Sequence, residues 1–257
     1  MEGVARAEGR SVFGHDPAAY DRARPRYPNR VFEVLRDRCG LGEDTSVLEL
    51  GPGPGTATRH LLELGASPLV AIEPNPALAS YLAERESHVQ IIVSTFEEAE
   101  LPSSSFDLVV AATSFHWIDP TIGLPKVSAV LRPGGWWAVW SSIHGDQTEN
   151  DRFHQATADL LGPSPAVPWS RFTDERANVS AFRRAGFANV EYELIQSTAR
   201  YDPAGIRSLY ASFSGILRRP EEERTKLLAA LEQIARDEFG GVVERAILTP
   251  LYTAQRP

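Results

Sequence analysis

With 257 residues and 42% hydrophobic content the chain can bury a full core, so disorder is excluded as the default and one domain with embellishments is expected. Its 26 Lys and Arg stand against 34 Asp and Glu, a formal net charge of −8, which argues against nucleic acid or an anionic membrane as partner and favours a small, locally steered substrate. A single cysteine, Cys39, excludes an internal disulfide and a cysteine metal cluster, and the histidines have no ligand spacing, so no metal site is expected.

The first residues, MEGVARAEGR, lack the apolar run of a signal peptide, and no later stretch reaches the roughly 20 apolar residues of a membrane span. A cytoplasmic protein is the expectation. Residues 1–16 read as mobile. The segment 28–38 opens on proline and spaces Val31, Phe32 and Leu35 as one helical face. From there strands are predicted at 46–50, 69–73, 89–93, 107–112 and 136–141, with helices at 55–64, 76–85 and 120–131 between them. Such alternation implies an α/β fold, a parallel sheet with helices on both faces. The turn Arg132-Pro133-Gly134-Gly135 precedes a Trp-rich strand. Residues 142–175 read as a polar, Pro-rich loop or lid, followed by a helix at 174–185, a strand at 189–197, helices at 203–212 and 220–238, and a last strand at 243–253.

The most informative stretch is Val47-Leu48-Glu49-Leu50-Gly51-Pro52-Gly53-Pro54-Gly55-Thr56, an apolar strand entering a glycine turn with an acid just before it. Glycines let a backbone reverse sharply and approach a ligand closely, and Pro52 and Pro54 stiffen the turn. Glu73, in Glu73-Pro74-Asn75, ends the second strand where an acid can accept from both hydroxyls of a ribose. Ser94, Thr95, Phe96 and Glu97 could flank an adenine, and Thr113-Ser114-Phe115-His116-Trp117, after the fourth strand, should face whatever is transferred. A nicotinamide fingerprint needs a third glycine where Thr56 stands, and Glu49 near the bound group suits an ammonium better than a pyrophosphate.

These elements, Glu49-x-Gly51-x-Gly53-x-Gly55, Glu73, the 95–97 segment, Asp107 and Leu131-Arg132-Pro133-Gly134-Gly135, together resemble the class I S-adenosylmethionine-dependent methyltransferases. Phe13, the run from Tyr20 to Pro28, and Phe115-His116-Trp117 look like the branch containing trans-aconitate-type and related small-molecule methyltransferases. The resemblance implies a Rossmann-like, seven-stranded, mostly parallel sheet whose last strand is antiparallel, with a helical cover over the site. It divides one methyltransferase domain into a leader at 1–40, a cofactor-binding core at 41–142, and a substrate cover with closing strands at 143–257.

It implies that Glu49 with Gly51, Pro52, Gly53 and Gly55 holds the methionine portion of S-adenosylmethionine, the product being S-adenosylhomocysteine. Glu73, Pro74 and Asn75 then serve the ribose, Thr95, Phe96 and Glu97 the adenine, and Thr113 and Ser114 the reacting end. Tyr20 and Arg24 are candidates to cap the cofactor carboxylate or the substrate. Tyr27, His116, Trp117, Trp140 and Trp169 are candidates on the acceptor side, with Phe172, Tyr210 and Phe213 as further apolar cover and Arg24, Arg26 and Arg207 as cations for an acidic substrate. The expected reaction is methyl transfer to a small organic acceptor, with the oxygen of a carboxylate or hydroxyl favoured. A carboxylate is already ionised and needs no base, whereas a phenol or amine would make His116 the candidate base. In the competing reading of that pair, His116 and Trp117 only cap and pack the next helix. A non-catalytic cofactor-binding scaffold and a nicotinamide-dependent oxidoreductase remain as alternatives.

Overall fold

The apolar run ahead of the glycine turn forms β1 (Thr45–Leu50), buried at every position in the computed structural model, which describes residues 12–145, 151–162 and 170–257. A strand covered on both faces needs partners on both edges and layers above and below. Its parallel partners are β2 (Ala66–Ile72) and β4 (Phe106–Ala112), with β3 (Gln90–Ile92) beyond β2 and β5 (Leu131–Trp140) beyond β4. β8 (Val243–Gln255) pairs antiparallel with β5 on one edge and with β7 (Ala188–Tyr201) on the other. The two-residue β6 (Ile143–His144) pairs with β8 just beyond β5, giving eight strands among the described residues where seven are expected. The last strand is antiparallel to its neighbours, as the resemblance implies.

Strand alternation sends Val47 to one face and Leu48 and Leu50 to the other. On the first face Val47, Leu108, Val110 and Trp140 pack against Val31 and Leu35 of α2 (Asn29–Asp37) and Leu61 of α3 (Thr58–Glu63). On the second, Leu48, Leu50, Val109 and Trp137 pack against Leu124 and Val127 of α5 (Pro120–Val130) and Phe182 of α8 (Glu175–Arg184). A third apolar cluster unites Phe153 of α6 (Arg152–Leu161), Ile206 and Tyr210 of α9 (Pro203–Ala211), Ile216 of α10 (Ser214–Leu217), and Leu227 and Leu231 of α11 (Glu221–Asp237). It roofs the carboxyl ends of the parallel strands.

Helix starts follow from local chemistry. In α1 (Pro17–Ala23), α4 (Pro76–Ala83), α5 and α9 an Asp or Asn precedes proline, and the caps Asp16, Asn75, Asp119 and Asp202 accept from the otherwise unpaired N–H of Ala19, Ala77, Thr121 and Gly205. The remaining short helix is α7 (Ser170–Thr173).

Several expected boundaries move. Leu131 pairs with Phe106 and the register then shifts before Leu108 meets Trp136, so Arg132-Pro133-Gly134-Gly135 is an irregularity inside β5 rather than a turn before it. Gly134 N–H donates to Arg256 O at 2.8 Å and Arg256 N–H returns the bond to Gly135 O at 2.8 Å, which holds this stretch in the sheet. β7 runs on to Tyr201 because its far half pairs with β8 beyond the end of β5, and β8 runs on to Gln255 because that end pairs with both β5 and β7. The stretch read as a loop contains α6, whose buried Phe153 and Thr157 lie one helical turn apart. No helix among the described residues is long and apolar enough to cross a membrane.

Candidate active site

The carboxyl ends of β1, β2 and β4 open into a cavity of ≈ 1260 Å³, roofed by α6, α9 and α10 and walled on one side by the leader. Its floor is the glycine turn. Gly51 (φ 65°) extends the ladder by donating to Ile72 O at 2.8 Å, and a Cβ there would stand 2.7 Å from Ser114 Cβ. Gly53 (φ 58°) differs: a Cβ built on it would meet only Tyr20 Cε1, at 4.0 Å, so this position faces open space. Beside it the buried carboxylate of Glu73 accepts from Gly53 N–H at 3.0 Å and from Asn75 N–H at 2.9 Å. The turn and the acid at the end of β2 are therefore one unit, each orienting the other.

The leader is fastened to this unit by polar contacts. Asp21 pairs with Arg59 at 2.7 Å and accepts from the Tyr81 hydroxyl at 3.2 Å, which ties α1 to α3 and α4. Phe13 meets Tyr20 and Trp117 edge to face, with centroids 5.3 and 6.1 Å apart. Farther along, Tyr27 donates to Thr113 Oγ1 at 3.0 Å, and the same oxygen accepts from Ser142 N–H at 3.1 Å. Thr113 is left-handed (φ 57°), unusual for a β-branched residue, and these two bonds help hold it there. Burial pushes the Tyr27 phenol above its ordinary range.

Two further titratable groups at the site, Glu49 and His144, are strongly perturbed. Glu49 is fully buried beneath the turn and accepts from the Thr58 hydroxyl at 2.7 Å, while its Oε1 finds no protein partner. Burial pushes its carboxyl up to about 7, with the Glu73 carboxylate adding to the shift and the Thr58 bond and Arg59 opposing it. His144 lines the far end of the cavity. Burial, with Arg24 and Arg245 nearby, holds its imidazole down to about 3.

A family model described as a methyltransferase domain matches residues 48–139, the stretch from β1 through most of β5. An uncharacterized methyltransferase of Schizosaccharomyces pombe is 28% identical over 249 residues, covering 95% of this chain and 97% of its own length. An uncharacterized methyltransferase of Mycobacterium tuberculosis is 29% identical over 223 residues, 86% of this chain and 84% of its own. Together the domain match and these relatives support an S-adenosylmethionine-dependent methyltransferase. Among solved structures, phosphoethanolamine N-methyltransferase 2 of Haemonchus contortus matches with TM-score 0.57 at 14% identity, over 95% of this chain and 57% of that one. The [4+2]-cyclase SpnF matches with TM-score 0.55 at 16% identity, over 91% of this chain and 84% of that one. Likeness at this level carries the fold alone, and a cyclase beside a methyltransferase shows how different a chemistry that fold can carry.

Of the residues expected at the methyltransferase site, the cavity is lined by Tyr20, Arg24, Tyr27, Gly51, Pro52, Gly53, Glu73, Pro74, Phe96, Thr113, Ser114, His116 and Trp117. Ser114 is anchored by donating its hydroxyl to Leu50 O. The His116 ring packs on Trp117 and Phe172 with centroids at 4.6 and 5.5 Å.

Others stand elsewhere, for physical reasons. Glu49 lies under the turn rather than beside the cavity. Gly55 is glycine because a Cβ there would sit 2.7 Å from Leu82 Cδ1, a demand of helix packing. Asn75 caps α4 and lies under the leader, where a Cβ on Gly14 would fall 2.5 Å from its Oδ1. Thr95 Oγ1 donates to Glu98 at 2.7 Å, and Glu97 accepts from Asp119 N–H at 3.2 Å, so both brace turns around Phe96. Trp140 is 1% exposed, packed in the core between Phe32 and Tyr27. Trp169 lies outside the described residues. No group of three or more His, Cys, Asp or Glu suited to a metal occurs among the described residues.

The cavity also takes in residues that had drawn no functional reading from sequence: His144, Asp151 and Arg245. One signal was present. Along β8, Val243, Arg245 and Ile247 share the inward face of a strict alternation, and an arginine in that row needs a buried partner.

Proposed function

We propose that this methyltransferase transfers the methyl group of S-adenosylmethionine to an oxygen of a small organic acceptor, a carboxylate or hydroxyl, as in the trans-aconitate-type small-molecule branch. The observation that carries the reading is the coupling of Gly53 to Glu73: a residue without a side chain facing open space, hydrogen-bonded to a buried carboxylate at the end of the next strand. That cradle suits a ribose and the amino-acid arm of a nucleoside cofactor, and its carboxylate would repel a pyrophosphate. Gly51, Pro52, Gly53 and Tyr20 would hold the methionine arm, Glu73 the ribose hydroxyls, and Phe96 with Ile72, Leu78 and Ile118 the apolar slot for the base. When bound, S-adenosylmethionine supplies a sulfonium-linked methyl group.

The chain's own residues supply alignment and a dry enclosure, effects worth up to roughly 7–11 kcal/mol when reacting atoms are held in line. Thr113 and Ser114, pinned by Tyr27 and by the Leu50 carbonyl, form a rigid wall at the end of β4. Phe13, Trp117 and Phe172 exclude water, and His116 is the group able to accept a proton if the acceptor is a hydroxyl. Glu49 acts from beneath, through Thr58, on the start of α3.

Incubation with methyl-labelled S-adenosylmethionine and a panel of carboxylic acids, phenols and amines, read by mass spectrometry, tests this. Label released by mild alkali marks a carboxylate ester, and alkali-stable label on oxygen marks a hydroxyl acceptor. Label found only on amines, or stoichiometric cofactor binding with no turnover on any of them, defeats the reading.

A further inference from the structure

At the end of the cavity formed by the leader, β6 and β8, polar groups converge from parts of the chain far apart in sequence. Arg24 lies with its guanidinium carbon 4.7 Å from the Phe213 ring centroid and donates from Nη2 to Ser212 O at 3.0 Å. The His144 ring stands 5.3 Å from the same Phe213 ring. Arg245, 2% exposed, pairs with Asp151 at 3.2 Å. Gly145 makes room for it, since a Cβ there would fall 2.6 Å from Arg245 Nη2.

A buried ion pair kept only for structure uses its donors and acceptors within the protein, because each one left over costs desolvation. This cluster does not. Arg24 Nε, Arg245 Nε, Asp151 Oδ2 and both ring nitrogens of His144 are shielded from solvent without a protein partner. The charges are also unequal: Asp151 answers Arg245, while Arg24 has no carboxylate within ion-pair distance among the described residues.

We infer that Arg24, His144 and Arg245 form a subsite for an anionic group of the acceptor, a carboxylate or comparable oxyanion, separate from the atom that is methylated. The inference rests on the methyl-transfer reading and extends it to the acceptor's far end. Two guanidiniums, Arg24 over the Phe213 ring and Arg245 over the Phe153 ring, bind an oxyanion strongly because the local dielectric is low and their donor forks match its oxygens. A neutral His144 adds one N–H donor without a further charge. A cationic acceptor would meet repulsion there. The enzyme thus grips an acid by one end and presents the other to the glycine turn, which sets which oxygen is methylated.

Calorimetry on the full chain saturated with S-adenosylhomocysteine tests this, using short straight-chain and phenyl-substituted carboxylates, each beside its neutral primary amide. Carboxylates should outbind their amides by about tenfold or more, the usual worth of a charge-assisted bond. That preference should collapse in Arg24→Gln and Arg245→Gln, with S-adenosylhomocysteine affinity unchanged. Arg24→Gln leaves the Arg245–Asp151 pair intact, so it decides the matter if the other variant does not fold. A preference that is absent in the wild type, or that survives in Arg24→Gln, overturns the subsite. Loss of S-adenosylhomocysteine affinity in Arg24→Gln assigns the arginine to the cofactor and overturns it too. Failure of the wild type to bind S-adenosylhomocysteine at all strikes the methyl-transfer reading itself, a separate result.

Discussion

Glu49→Gln measures the free energy stored in an acid buried under the glycine turn. The native-state carboxyl titrates at about 7 against an ordinary value of 4.5, a raised acid, so its favourable contribution is complete below the unfolded value and is lost as pH rises through the native one. The full gap corresponds to roughly 3 kcal/mol above neutrality, at about 1.4 kcal/mol per unit. Part of it is already lost by mildly acidic pH: between about pH 5.5 and 8.5 the wild type should lose roughly 2 kcal/mol through this residue. Glutamine keeps an oxygen for the Thr58 hydroxyl and removes the titration. The variant's stability relative to wild type should therefore grow by roughly 2 kcal/mol over that interval, or roughly 4–8 °C in melting temperature for a chain of this size. Urea unfolding of both proteins across the interval, without ligand, is the assay. Parallel stability curves would show that Glu49 remains charged in its buried site, and the raised titration would be wrong.

Gly53→Val should abolish S-adenosylmethionine binding in calorimetry while far-ultraviolet dichroism stays native, since its branch enters the cavity and strains a left-handed residue; unchanged affinity would detach the turn from the cofactor. Glu73→Ala should weaken S-adenosylmethionine by about 1–3 kcal/mol, the range for a bond to a charged group. Glu73→Gln should recover part of the loss by restoring an acceptor for the amide of Gly53 or Asn75. Equal loss in both variants would point to charge rather than hydrogen bonding. Asp21→Asn breaks a partly exposed pair to Arg59, so it should cost about 1 kcal/mol or less in global stability and yet hasten proteolysis of the leader at α1. Unaltered cleavage there would mean that the aromatic contacts of Phe13 and Tyr20 suffice to hold it.

Local signals in the sequence carried the framework. Apolar runs such as Val47–Leu50 admit only a strand buried on both faces, the Asp-Pro and Asn-Pro pairs start helices wherever they fall, and the glycines mark where a backbone turns left-handed. Periodicity and caps act over a few residues, so they survive without knowledge of the partner. The length of β7 was not legible in this way, because its outer end, from Thr198 to Tyr201, is strand only by pairing with β8.

The site divides along the same line. Glu73 and Gly53 could be named because their separation follows from one strand-turn-helix-strand unit. Glu49 and Gly55 belonged to the same motif, yet only packing decided that one lies beneath the turn and the other against Leu82. His144, Asp151, Arg245 and Arg24 have no spacing that relates them. They meet because the β7–β8 arm, the leader and α6 fold over one end of the sheet, and a charge buried by distant elements has no local pattern to announce it.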